Sequence, residues 1–362
     1  MIKVKISSVL FEIGEAARHH LALLRQRVIP PPAAMLEMVL AAWSAQAIAT
    51  AADLGIADAL AEGPLSVEEL AAAVGADTDA VGRLLRALIG RDIFRQQRDG
   101  RYALTPLANA LRSDARPSVA AMARWVGASQ EREHWSLLTH AIRSGHGVVE
   151  ELRGKAFFDY LADEPELAAI FNRAMTSTSE LTVTAVVDAY DFSEFATVVD
   201  VGGGHGRLLA AILAATPNAR GILFDQPQVV AGAPVVLSQH SVLERTQIAE
   251  GSFFNQDLPR GGDAYVLKLI IHDWPDDDAL RILGNVRLAA GAGKKVLIVE
   301  QVIPAHSRDS LSKWLDLEML ILGSARERTT AEYECLLARS GFQMTRVVKT
   351  ASPFVVIEAK AI

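Results

Sequence analysis

The run Val198-Val199-Asp200-Val201-Gly202-Gly203-Gly204-His205-Gly206-Arg207 constrains this chain more than any other stretch. Its β-branched residues predict a buried strand, its glycines a tight turn, and Leu208 to Leu213 the helix that follows. Glycine is required where φ is positive or where a ligand comes close to the main chain. Strand, glycine turn and helix in that order place a nucleotide-type site at the carboxyl edge of a parallel sheet. The spacing departs from a dinucleotide fingerprint, because the third glycine of G-x-G-x-x-G would fall on Arg207. Gly221 to Asp225 reads as a second short strand ending in a carboxylate, placed to accept hydrogen bonds from ribose hydroxyls.

From Thr197 onward strands and helices alternate, which predicts an α/β, Rossmann-like domain over 191–362. Its strands are expected at 197–201, 221–225, 246–250, 264–271, 295–302, 343–348 and 353–359. Residues 33–116 read as short-looped helices ending in a hairpin. Ser66-Val67-Glu68-Glu69 is a capping box and Gly75 a helix end. Asp77-Thr78-Asp79 opens a helix with Val81, Leu84, Leu85 and Leu88 on one stripe, and Asp99-Gly100 turns the hairpin. Together they predict a winged helix. Arg83, Arg86, Arg91, Arg95, Arg98, Arg101, Arg112 and Arg116 make it locally basic, so a DNA-binding regulator is one reading. The mostly apolar second helix favours a buried interface instead. Residues 117–190 read as connecting helices. Residues 1–32 read as an amphipathic arm with Leu10, Ile13, Ala17, Leu21, Leu24 and Val28 on one stripe, ended by Pro30-Pro31-Pro32. Such an arm packs on a partner subunit or lies on a membrane surface.

A chain of 362 residues has room for two domains with sizeable cores. Half its residues are hydrophobic, yet no run approaches the roughly 18 consecutive apolar residues of a membrane span. Met1 to Ile6 lacks a signal-peptide block, and a single cysteine, Cys335, fits a reducing cytoplasm. A net charge of -7 argues against a nucleic-acid partner. His, Cys and carboxylates never cluster at metal-ligand spacing, so no metal site is expected.

Ala264 to Ile271 reads as a long apolar strand delivering His272-Asp273-Trp274-Pro275 to the edge on which the glycine turn opens. An imidazole there can serve as a general base near neutral pH. Asp273 and Asp276 to Asp278 read as charges at a helix N-terminus.

Taken together, these motifs resemble the small-molecule S-adenosylmethionine-dependent O-methyltransferases of the plant caffeate type and the bacterial polyketide and phenazine types. The likeness runs over roughly residues 35–360. It is carried by Phe171-Asn172-Arg173-Ala174-Met175, Val199 to Gly204, Leu223-Phe224-Asp225-Gln226-Pro227, Gly251-Ser252-Phe253-Phe254, Lys268 with His272-Asp273-Trp274, Glu300, and Arg326-Glu327-Arg328-Thr329.

The resemblance implies a seven-stranded catalytic domain and an N-terminal winged-helix domain that makes a homodimer. It implies that Gly202 and Gly204 line the methionine part of the cofactor, that Asp225 holds the ribose, and that Phe253, beside Ser252, follows the adenine. It puts Lys268 on the cofactor side of its strand and Ser179 within reach of the methionine carboxylate. His272 matches the base, and Glu300 and Glu327 the carboxylates that bracket it. Trp125, Leu167, Phe171, Met175, Met319 and Gly323 match the pocket for a hydroxylated, aromatic acceptor. Each has a plainer alternative: Glu300 as a strand-end cap, Glu327 between Arg326 and Arg328 as a solvated ion-pair face, Phe171 and Met175 as ordinary core. Ser252 replaces an aspartate found in many members, Gly323 an asparagine, and Thr178 a histidine, while Glu318 is acidic where plant enzymes are apolar. The acceptor pocket is therefore not expected to be of the plant phenylpropanoid type. O- against N-methylation stays open, and so does a relative that keeps the cofactor but decarboxylates, hydroxylates or rearranges.

Overall fold

The computed structural model describes residues 2–323 and 325–362. The chain divides into two compact units, one of residues 1–20, 140–148 and 182–362, the other of 21–139 and 149–181.

The second unit contains the winged helix. Helices Ala41–Asp53, Val67–Val74 and Thr78–Ile89 precede a hairpin of β1 (Phe94–Gln96) and β2 (Tyr102–Leu104). Ser66 and Glu69 form the expected reciprocal cap, and Asp77 caps the next helix. Val81, Leu85 and Leu88 point inward onto Ile56, Leu70, Phe94 and Tyr102. The hairpin loop is longer than a two-residue Asp-Gly turn. Gln97 N–H still reaches Arg101 O at 2.7 Å, leaving Arg98 to Gly100 as a three-residue loop with Gly100 at φ 87°.

In the first unit the strands are β3 (Thr197–Val201), β4 (Arg220–Asp225), β5 (Thr246–Glu250), β6 (Ala264–Lys268), β7 (Lys295–Ile303), β8 (Arg328–Thr329), β9 (Phe342–Lys349) and β10 (Phe354–Ala361). Their order is β5-β4-β3-β6-β7-β10-β9, with β8 adding to the end of β7. Strands β3 to β7 run parallel, and β10 runs antiparallel to both neighbours. Side chains alternate across the sheet. Val198, Leu223, Val266, Leu297 and Val356 enter one core, while Val199, Phe224, Leu267, Ile298 and Ile357 enter the other. Two covered faces explain why these strands read as continuous apolar runs.

One expectation needs correction. The strand expected over 264–271 ends at Lys268, because Leu269 turns to φ 55° and the next N–H groups leave the ladder. The stretch Pro31–Asp53 is long and apolar enough, by length and composition, to cross a membrane, although it breaks at Leu40 and contains Glu37 and Asp53. Helix Ile2–Arg27 forms as expected, but its stripe stays uncovered: Leu10, Ile13, Leu21, Leu24 and Val28 are 59–77% exposed.

Strand β10 carries a buried carboxylate. Glu358 accepts hydrogen bonds from Tyr190 Oη (2.5 Å), Thr345 Oγ1 (2.6 Å) and Arg346 Nη2 (2.8 Å), with Lys295 Nζ at 3.4 Å. Burial alone would raise its pKa; the donors outweigh it and hold the carboxyl at about 2. A depressed carboxylate contributes stability that is complete above its ordinary value and lost as pH falls toward 2. Glu358→Ala should cost about 3 kcal/mol at pH 7 and lower Tm by roughly 5 °C or more. In a calorimetric scan, a variant melting like the wild type at pH 7 would show the network to be neutral.

Candidate active site

The parallel strands end at one edge, and the loops leaving it carry the expected residues of this unit. Gly202 and Gly204 take φ 69° and 61°. At Gly202 a Cβ would also lie 2.5 Å from the Ile270 side chain. At Gly204 a Cβ would meet nothing within 4 Å, so the loop has open space there. Asp225, at the end of β4, accepts the N–H of Gly204 (2.8 Å, Oδ2) and of Gln226 (2.7 Å, Oδ1). Half-buried, it keeps acceptor capacity for a ligand's hydroxyls. Phe253 lies beside Gly202 and is pinned by Asn285 Nδ2 on its carbonyl (3.0 Å). The Ser252 hydroxyl turns to the N–H of Phe254 at 3.3 Å, closing its own loop.

Under this loop lie Asp200 and Lys268. Burial pushes Asp200 up to about 7, Lys268 pulling it back, and pushes the Lys268 ammonium down to about 8, Asp200 holding it up. Neither Asp200 oxygen has a hydrogen-bond partner among the described residues. Open space at Gly204 and the Asp225 carboxylate fit a ligand bearing ribose hydroxyls.

His272 is buried just past β6. Its Nδ1 lies 2.9 Å from Glu327 Oε1, and its Nε2 lies 3.4 Å from Asp273 Oδ1. Glu327 and Arg328 are each 1% exposed, which removes the solvated ion-pair alternative. Burial by itself would keep the imidazole neutral. The carboxylates of Asp273, Glu327 and Glu300 outweigh it and raise His272 to about 10. Burial likewise pushes Glu327 up, while His272 pulls it down. Asp273 is therefore more than a helix-end charge.

Glu300 departs from the bracketing role. Its Oε1 accepts the main-chain N–H groups of Ile270 (3.1 Å), Ile271 (2.6 Å) and His272 (3.2 Å), and its Oε2 accepts the Tyr333 hydroxyl. It acts on the backbone that carries the imidazole, while Glu327 and Asp273 lie against the ring nitrogens. Tyr333, Arg328 and Asp316, whose Oδ1 takes the Glu327 N–H at 2.9 Å, were not expected here.

The acceptor residues divide between the units. Trp125 meets Phe171 and Phe157 edge-on, with ring centroids 5.0 and 6.1 Å apart, and Leu167, Met175 and Ser179 share the helix Pro165–Ala189 with Phe171. On that helix Thr178 turns its hydroxyl onto Ala174 O at 3.0 Å. Met319 is buried on helix Leu311–Leu322 of the sheet unit, and Gly323 follows it with open space at its Cβ position.

Comparison with known proteins identifies the family. Residues 135–343 match the model of the O-methyltransferase domain, and residues 36–114 that of the O-methyltransferase dimerisation domain. The phenazine O-methyltransferase PhzM of Lysobacter antibioticus is 42% identical over 93% of this chain and 98% of its own. The crystal structure of LaPhzM superposes with a TM-score of 0.86 at 41% identity, covering 92% of this chain and all of that one. An O-methyltransferase of neocarzinostatin biosynthesis, NcsB1, solved with S-adenosylmethionine and 2-hydroxy-5-methyl naphthoic acid, gives 0.75 at 32% identity, covering 88% of this chain and 96% of that one. With a matching catalytic domain, a matching dimerisation domain and relatives aligned end to end, the chain belongs to the S-adenosylmethionine-dependent O-methyltransferase family.

Proposed function

We propose that this enzyme methylates a hydroxyl of a phenazine-like polycyclic aromatic, with His272 as the general base. The observation that carries this reading is the buried His272 Nδ1–Glu327 contact of 2.9 Å at the edge where the glycine loop opens. The phenazine enzyme at 42% identity and the Trp125–Phe157–Phe171 cluster favour a flat acceptor. The family resemblance assigns Gly202, Gly204, Asp225, Ser252, Phe253 and Lys268 of the sheet unit to the cofactor and Met319 and Gly323 of that unit to the acceptor, and in the other unit it assigns Trp125, Leu167, Phe171 and Met175 to the acceptor and Ser179 to the cofactor.

S-adenosylmethionine, when bound, supplies an electrophilic methyl whose in-line transfer gains most of its rate from orientation. Glu327 keeps the proton on Nδ1, so Nε2 is the nitrogen that faces the acceptor. A phenol of pKa about 10 and an imidazole raised to about 10 are matched, and the hydroxyl proton passes to Nε2 with little driving-force penalty. Glu327 and Asp273 then stabilise the imidazolium.

The enzyme works as a homodimer. The exposed Leu10, Ile13, Leu21, Leu24 and Val28 continue into Met35, Leu36, Val39 and Trp43, equally exposed at the start of the dimerisation domain. A second copy of the chain covers both.

His272→Ala should retain cofactor affinity and lose about 10²–10⁴-fold in kcat with a hydroxyphenazine acceptor. Undiminished turnover would remove His272 as the base, and a product lacking the added methyl mass, or carrying it on nitrogen, would overturn O-methylation. Because His272 must shed a proton held at about 10, kcat/KM should climb with pH through the neutral range. Glu327→Gln removes an anion from Nδ1, lowers the imidazole pKa and should move that acidic limb to lower pH. A limb left in place would show that Glu327 does not tune the base.

A further inference from the structure

We propose that Tyr333 and Arg328 are positioning residues for methyl transfer, locking the turn 269–274 so that His272 presents Nε2 at one fixed point. This rests on His272 being the base. Neither residue hydrogen-bonds the imidazole among the described residues: Tyr333 acts through the Glu300 carboxylate, and Arg328 through the carbonyls of the turn.

The turn is improbable by itself. Leu269 sits at φ 55°, a region that side-chain-bearing residues rarely adopt unless their surroundings impose it. The surroundings do so from both sides. Every main-chain N–H from Leu269 to Trp274 is bonded: Leu269 to Val299 O, Ile270, Ile271 and His272 to Glu300, Asp273 to Ile270 O and Trp274 to Ile271 O. On the carbonyl side, Arg328 Nη1 donates to Ile271 O at 2.9 Å and Nη2 to Trp274 O at 2.8 Å, while the Arg326 N–H donates to His272 O at 2.9 Å.

One anion thus gathers three of the turn's six donors, and one cation gathers two of its acceptors. Glu300 is fully buried, and a buried carboxylate is fixed only when its second oxygen is also satisfied. Tyr333 Oη supplies that bond. Tyr333 stands on helix Thr330–Arg339, whose start is set by the reciprocal Thr329–Glu332 cap. Arg328 lies on β8, which pairs with the end of the strand that carries Glu300, and Asp276 Oδ1 holds its guanidinium at 2.7 Å. Clamp and turn are therefore built from adjoining elements of one sheet edge. With the backbone pinned and Nδ1 held by Glu327, the imidazole has little freedom left. Loosening the turn should weaken the Nδ1–Glu327 bond and misplace Nε2. A displacement of about 1 Å can cost on the order of 100-fold in rate.

The test uses the full-length protein labelled with ¹⁵N-histidine. The His272 Nδ1–H, held against Glu327, gives a downfield proton resonance that His272→Ala identifies by its loss. Tyr333→Phe removes one hydroxyl and should broaden that resonance through exchange with water. It should also lower kcat for a hydroxyphenazine by roughly 10- to 100-fold. Its dissociation constant for S-adenosylhomocysteine should stay within about twofold of the wild type, since the cofactor loop is untouched. A merely structural tyrosine would lower Tm and leave the resonance sharp, and that result overturns the proposal. If Tyr333→Phe does not fold, Arg328→Lys, which loosens the turn from the carbonyl side, is judged by the same resonance. The two readings separate cleanly. Wild-type turnover by His272→Ala would sink the base, while the resonance still decides whether Tyr333 and Arg328 hold the turn.

Discussion

A buried carboxylate accepting three consecutive main-chain N–H groups is the contact on which the rest of the site depends. Without Glu300, the N–H groups of Ile270, Ile271 and His272 would lie in the interior without their acceptor, each at a penalty of roughly 1–3 kcal/mol. With it, β6 can stop at Lys268 and the chain can turn out of the sheet. His272 then emerges at the carboxyl edge, and the helix Asp276–Ala290 starts four residues later. The imidazole is placed by its backbone first and by Glu327 second.

The sheet supplies the other half. Parallel pairing of β3, β4, β5, β6 and β7 brings all their carboxyl ends to one edge. The glycine loop, Asp225, Phe253 and His272 each follow one of those ends, although some seventy residues separate the first from the last in the chain. Charge is balanced within the same layer. Asp200 and Lys268 moderate each other beneath the loop, and three carboxylates surround one imidazole beyond it. Burial disfavours every one of these charges singly, so their mutual contacts decide which survive.

Much of this was legible in the chain. Alternating apolar runs marked the parallel strands, Gly202 and Gly204 marked the turn, and Ser66 with Glu69 marked a helix start, because each reflects a local rule. What escaped was long-range. The run 264–271 is mostly apolar, and nothing in its composition shows that its last two N–H groups belong to a glutamate about thirty residues on. Glu300 looks the same in sequence whether it meets a ring or a backbone. Arg326 and Arg328 look alike around Glu327, yet Arg326 is exposed and Arg328 is buried. Tyr333 lay behind a visible Thr329-x-x-Glu332 capping pattern that fixed the helix but not the phenol's partner. The apolar stripe of residues 10–28 was equally plain in the sequence, and the structure leaves it exposed.

The most direct measurement is a crystal structure of the dimer with S-adenosylhomocysteine and a hydroxyphenazine bound together. The acceptor oxygen is expected within about 2.6–3.2 Å of His272 Nε2, with Glu300 still holding the backbone of 270–272. An acceptor oxygen held by another group, with Nε2 turned away from it, would contradict the assignment of His272 as the base.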